Sequence, residues 1–423
     1  MNFRARLAPL SKESKVAIYS LFGQGIKLVS GPMILLAISK DLSLEEIGFY
    51  YTFISIIALK TLLEMGISNV LKQYIIHNSA KGKSSRGLIG FTYLWFVLAS
   101  LLFFVFCYAL SRYLYSDYQG SIDWSLPWDI TSVAASLSLF LISIQIVSDS
   151  TGDQIKLRRS IMLSSSVYSI ILFLSIKANL GLYSIPLAIF SSETLLFLFL
   201  KSNFKVSYIK WSLSDFINVL MEIKPLLQKV IVVWVFGYFY WNGFNLISFK
   251  ELGPEVAGGV AFSIALIKAV SDISSSLVVG QMTIYSENIA NNNIKKAYAI
   301  FYKFFIFGGI LMSLGYCTLL TVWHFLPEFY LFEKLLSKSD VLIIIFYFLC
   351  VYIMVCTNNF VRCFKVEPFV KVSLFNSIFV PLSFYYSIKT KSDDLFFLPM
   401  LVNAMSMFFS LTIFYLWKRK NED

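Results

Sequence analysis

Twelve stretches of about 20 predominantly apolar residues recur along the chain, separated by short charged or Pro/Gly-bearing segments. No motif constrains the fold as tightly. A helix of about 20 residues crosses the roughly 30 Å hydrocarbon core of a bilayer and satisfies its own backbone amides there. The stretches lie near 16–38, 47–66, 88–110, 129–148, 160–177 and 180–200, then near 229–249, 256–280, 301–325, 341–360, 369–388 and 395–417. Apolar residues make up 57% of the 423 and charged residues only 14%, against about 45–50% and about 25% in soluble domains. That surplus requires an apolar solvent outside the fold as well as a core within it. A soluble enzyme, a disordered chain and a single-anchor protein are excluded, and the expected fold is an all-α integral membrane protein with twelve transmembrane helices.

Lys and Arg alternate with the spans. With the amino terminus inside, 25 of the 36 basic residues fall on inner segments, 8 on outer ones, and Lys27, Lys60 and Lys268 lie within helices. Retention of positive charge in the cytoplasm sets this orientation, so both termini are expected to be cytoplasmic. The basic N-terminal residues up to Lys15 run straight into a long apolar stretch without a small-residue cleavage site, which reads as a retained first helix. The net charge of +11 therefore reports topology. Nucleic acid is not an expected partner, because the basic residues do not gather into one patch. The five cysteines, Cys107, Cys317, Cys350, Cys356 and Cys363, form no CxxC, zinc spacing or disulfide framework, and neither metal nor cofactor is expected.

The chain also carries a weak internal echo. Leu44-Glu45-Glu46-Ile47-Gly48-Phe49-Tyr50 reads like Pro254-Glu255-Val256-Ala257-Gly258-Gly259-Val260, an offset of 210 residues or half the length. Two parallel six-helix repeats follow, since an even helix number per half relates them by an axis along the membrane normal. The expected domains are 1–205 and 206–423, joined in the basic stretch from Lys201 to Lys229.

Gly23-Gln24-Gly25 and Pro32 in the first helix, the outer turn Leu42-Ser43-Leu44-Glu45-Glu46-Ile47-Gly48-Phe49-Tyr50, and Glu64-Met65-Gly66-Ile67-Ser68-Asn69 together carry a resemblance. The chain resembles the Wzx-type O-antigen/polysaccharide flippases of the multidrug/oligosaccharidyl-lipid/polysaccharide exporter superfamily. That resemblance implies two six-helix bundles around a central cavity in a bacterial inner membrane. It also implies the flipping of an undecaprenyl-diphosphate-linked oligosaccharide, as in lipopolysaccharide biosynthesis. Expected partners are the lipid-linked oligosaccharide, membrane lipid, a polysaccharide polymerase, a chain-length regulator, and H+ or Na+ as coupling ion. The alternatives are a drug/cation antiporter of the same superfamily or a polysaccharide polymerase.

Ionisable groups within a span are costly and mark functional candidates. Six occur: Lys27, Lys60, Glu64, Glu193, Lys268 and Asp272. Lys60/Glu64 and Lys268/Asp272 are each spaced four residues apart, on one helix face, where each pair can neutralise itself. They occupy corresponding helices of the two halves at an offset of 208, and two residues turn a helix by about 200°. Lys27, Lys268 and Lys60 are expected to attract a diphosphate from the cavity wall, and Gln24, Asn242 and Asn245 to bind sugar hydroxyls. Asp272, Glu64 and Glu193 are the candidate ion-coupling groups. The competing reading for each is a local ion bridge or a helix-packing hydrogen bond. Trp124, Trp128 and Trp323 fit an interfacial aromatic belt, and Arg86, Arg158, Arg159 and Arg362 sit where a lipid diphosphate would enter from the cytoplasm.

No phosphate-binding G-x-x-x-x-G-K-[ST] occurs, so transport must draw on an ion gradient or on consumption of the product. His77 and His324 lie on opposite sides of the expected topology. The longest outer loop, Arg112 to Trp128, holds one arginine. No enzyme is expected.

Overall fold

The computed structural model describes residues 12–64, 66–82, 84–151, 154–204, 208, 213–364, 366–392 and 394–422. Every regular element among them is helical: α1 (Lys12–Asp41), α2 (Leu44–Ala58), α3 (Lys60–Glu64), α4 (Ile67–Ala80), α5 (Arg86–Leu114), α6 (Ser125–Ser150), α7 (Gln154–Lys177) and α8 (Ser184–Leu200), then α9 (Leu213–Leu252), α10 (Pro254–Val279), α11 (Met282–Ala290), α12 (Ile294–Phe325), α13 (Lys338–Arg362), α14 (Val370–Lys389) and α15 (Phe397–Glu422). Nine helical stretches among the described residues are long and apolar enough to cross a membrane. α1, α9 and α14 fill the places of the first, seventh and eleventh expected spans. The protein is an all-α membrane protein.

Local chemistry explains where the helices start. Ser43 and Glu46 cap α2 reciprocally: the Glu46 amide donates to Ser43 Oγ at 3.1 Å and the Ser43 amide to Glu46 Oε2 at 2.8 Å. Ser337 Oγ likewise accepts the Asp340 amide at the start of α13. α10 begins with left-handed Gly253 (φ 84°) followed by Pro254 in its first turn. Buried hydroxyls bond back to their own helix, which a polar group in lipid requires. In α6, Thr131, Ser132, Ser136 and Ser148 each donate to the carbonyl four residues earlier.

The structure departs from the sequence reading in three places. The second span is broken at Leu59, where α2 ends and α3 begins. The short helices α4 and α11 follow the second and eighth spans, in stretches read as loops. Their mixed polarity hid them, since α4 carries Lys72 and His77 along one short amphipathic run. α9 is 40 residues long, or about 60 Å, so helix continues well beyond the roughly 30 Å apolar layer into the stretch expected to be a connection.

The chain forms two compact units, Met1–Ala37 with Leu59–Trp234 and Ile38–Ala58 with Val235–Asp423. In the first, α6 packs on α5, α8 and α4, and α7 on α8. In the second, α10 packs on α2, α12 and α13, while α15 packs on α13 and α14. The core of the second unit is aromatic: Phe301 and Phe360 stack at 4.4 Å, with Tyr285 edge-on to Phe360 at 5.3 Å. Exposed apolar side chains cover the outer faces of α5 (Leu101, Leu102, Val105) and α12 (Ile306, Ile310, Leu314). Surfaces this apolar belong in hydrocarbon. Trp128 is fully buried and Trp323 nearly so, stacked on Phe332, which removes both from the expected lipid-facing belt.

Candidate functional site

In the first unit the charged centre is assembled from three helices. α3 starts immediately after the break at Leu59 and places Lys60 against α6, where its Nζ lies 3.3 Å from Ser138 Oγ. Ser138 in turn donates to the Ala135 carbonyl at 2.8 Å, which fixes the hydroxyl as an acceptor for the ammonium. Glu193 of α8 and Glu64 of α3 both act electrostatically on Lys60. Glu193 Oε2 is buried and has no hydrogen-bond partner among the described residues. The ammonium is therefore held by a neighbouring helix, and no Lys60–Glu64 contact closes within α3. Two carboxylates thus act on a single cation.

In the second unit the corresponding pair does close. Lys268 and Asp272 of α10 form an ion pair one turn apart, and the Lys268 ammonium sits 5.3 Å from the centroid of the Trp241 ring on α9. Both side chains are accessible, Lys268 at 37% and Asp272 at 57%, although Lys268 stands at the middle of a membrane-length helix. The register beside them is pinned by Tyr316 of α12, whose hydroxyl donates to the Ile267 carbonyl at 3.1 Å. An exposed cation, an exposed carboxylate and an aromatic face at mid-helix make a polar patch that can exchange its internal partner for a charged ligand. The two pairs thus face different surroundings, as their offset of 208 rather than 210 requires.

The amides are engaged differently. Asn242 Nδ2 donates to its own helix at the Tyr238 carbonyl, 3.1 Å away. Asn245 Nδ2 donates to Ser55 Oγ at 2.9 Å, and Tyr238 Oη donates to the Ser55 carbonyl at 2.9 Å. These bonds tie α9 to α2. Asn245 Oδ1 is buried without a partner among the described residues. Lys27 and Gln24 lie on α1, but their side chains are outside the described residues.

The cations on the segments expected to be cytoplasmic have local partners. Asp149, at the end of α6 and 12% exposed, takes Lys72 of α4 and Arg158 of α7, the latter at 3.5 Å. Arg362 grips Glu367 through two nitrogens, and Arg86 lies over the Tyr208 ring at 5.8 Å. Sequence reasoning missed Ser138, Trp241 and Asp149. Of these only Trp241 had a signal, a tryptophan at the middle of a span rather than at its end.

No protein-family model matches the chain and no curated protein matches it. Solved structures do. An inward-facing multidrug resistance MATE family transporter of the MOP superfamily superposes with a TM-score of 0.66 at 12% identity, covering 95% of this chain and 99% of that one. A MATE multidrug transporter in complex with R6G gives 0.57 at 12% identity, covering 95% and 94%. The chain has the two-lobed helical fold of these transporters.

Proposed function

We propose that this chain moves an undecaprenyl-diphosphate-linked oligosaccharide across a bacterial inner membrane by alternating access, with the Lys268 patch receiving the diphosphate. The observation that carries this reading is the accessible ammonium of Lys268 at mid-helix, beside Asp272 and the Trp241 ring. A phosphate oxygen competes with the Asp272 carboxylate for the same ammonium. The indole beside it offers a face on which a sugar ring packs. Glu193, close to Lys60, is the candidate for the coupling ion. The polymerase and chain-length regulator would act on the product outside.

In the host bacterium, Lys268→Gln is expected to deplete surface polysaccharide and to accumulate lipid-linked oligosaccharide, whereas Lys268→Arg retains function. A hydrogen bond to a charged group is worth about 1.5–3 kcal/mol, so the glutamine variant loses about ten- to a hundredfold in apparent affinity. Undiminished polysaccharide in a well-inserted Lys268→Gln strain would remove the diphosphate role.

A second reading, export of an organic cation, is favoured by the greater exposure of Asp272 than of Lys268 and by the multidrug transporters that share the fold. Under that reading Asp272→Asn abolishes transport and Lys268→Gln preserves it. The two variants separate the readings.

A further inference from the structure

Gly48 of α2 and Gly258 of α10 stand at equivalent places in the two repeat copies, 210 residues apart, and the structure brings these copies onto each other. A Cβ added at Gly48 would lie 2.0 Å from the Pro254 carbonyl oxygen and 3.2 Å from the Gly258 nitrogen. A Cβ added at Gly258 would lie 1.9 Å from the Leu44 carbonyl oxygen and 3.1 Å from the Gly48 nitrogen. Leu44 and Pro254 are themselves 210 apart and are the first residues of their helices. The contact is therefore reciprocal: each helix offers its first carbonyl to the glycine one turn into the other. Only glycine permits backbones this close, and Cα–H groups facing carbonyl oxygens add weak attraction. Phe49 against Phe249 at 4.9 Å closes the flank.

The contact lies at the helix ends that the Lys/Arg count puts on the outer side. We infer that Gly48 and Gly258 form a reversible backbone clasp between the two repeat copies, closed here, which parts when the outer side opens. The inference rests on the alternating-access reading but not on the identity of the substrate. The neighbouring Gly259 supplies an internal control, because its Cβ would meet nothing nearer than a Leu336 methyl at 3.4 Å.

The test uses the full-length protein with Cys317→Ser, since that cysteine is the exposed one among those described, in lipid nanodiscs. Spin labels on Glu45→Cys and Glu255→Cys report the separation of the two helix ends. Gly48→Ala or Gly258→Ala must move the backbones apart by 1.4 Å or more, from the 2.0 or 1.9 Å found to the 3.4 Å of ordinary contact. Either variant is expected to convert a long-distance population from a minor one of about 0.1–10% into the major one, while Gly259→Ala leaves the distribution unchanged. Joining the same two cysteines with a reducible cross-linker is expected to stop transport, and reductant to restore it. Folded Gly48→Ala and Gly258→Ala proteins with the unaltered distribution would overturn the clasp, as would a cross-linked protein that still transports. If the alanine variants do not fold, the cross-linking arm decides. A clasp that opens as described in a protein that moves no lipid-linked sugar retires the substrate reading and leaves the clasp standing.

Discussion

Replacing Lys60 with methionine is expected to lower stability by about 1.5–3 kcal/mol, because it removes the charged hydrogen bond to Ser138 and takes away the cation on which Glu193 and Glu64 act. The groups left without it are Glu193, with its buried oxygen, and Glu64. Ser138 Oγ also loses its ammonium partner. Lys60→Met/Glu193→Gln removes both charges and is expected to recover at least half of that loss, a coupling well above the roughly 0.5 kcal/mol within which independent sites add. Thermal unfolding in detergent of the wild type, both single variants and the double variant measures the coupling. Additive losses would mean that Lys60 and Glu193 do not act as a pair. Glu193→Gln alone leaves Lys60 hydrogen-bonded to Ser138 and under the influence of Glu64, and separates the roles. A folded variant that has lost ion-driven uptake assigns Glu193 to coupling, and one with normal uptake leaves it structural.

The second large effect is expected at the end of α6 in the first unit, where Asp149 joins α4, α6 and α7. Asp149→Ala strands two cations at once. Since Lys72 and Arg158 are each about one-third exposed, water relieves part of the penalty, and the expected loss is about 2–4 kcal/mol rather than the full value for a dry pair. Lys72→Ala or Arg158→Ala should each cost about 0.5–1.5 kcal/mol, because Asp149 keeps its other cation. The same unfolding measurement checks this order. Equal losses at the three positions would show that Asp149 is not the hub.

The positions of the spans were legible because lipid is a uniform solvent that demands long apolar runs, and the Lys/Arg alternation confirms their number independently. Lys268–Asp272 was legible for a similar reason, since an i,i+4 pair needs only its own helix. Lys60 was not. Its partners come from α6 and α8, 78 and 133 residues away in sequence, and nothing local announces them. The kink at Leu59 escaped because it lies inside one continuous apolar run, and the helices α4 and α11 escaped because their mixed polarity falls short of a span. The repeat of Leu44–Tyr50 in Pro254–Val260 was visible as similarity. That the two copies touch each other through Gly48 and Gly258 was not, because a parallel repeat predicts equivalence and not contact. The resemblance of residues 20–75 to polysaccharide flippases implies a fold of two helical bundles, and the solved MATE transporters share the fold of this chain at 12% identity, while the proposed substrate rests on Lys268.

The central claim is most directly tested by reconstituting the purified protein in proteoliposomes and following a labelled undecaprenyl-diphosphate sugar between leaflets. The account predicts that the wild type moves this lipid when an ion gradient is imposed, and that Lys268→Gln does not. A wild-type protein that leaves the lipid in place while moving an organic cation in a manner abolished by Asp272→Asn would contradict it.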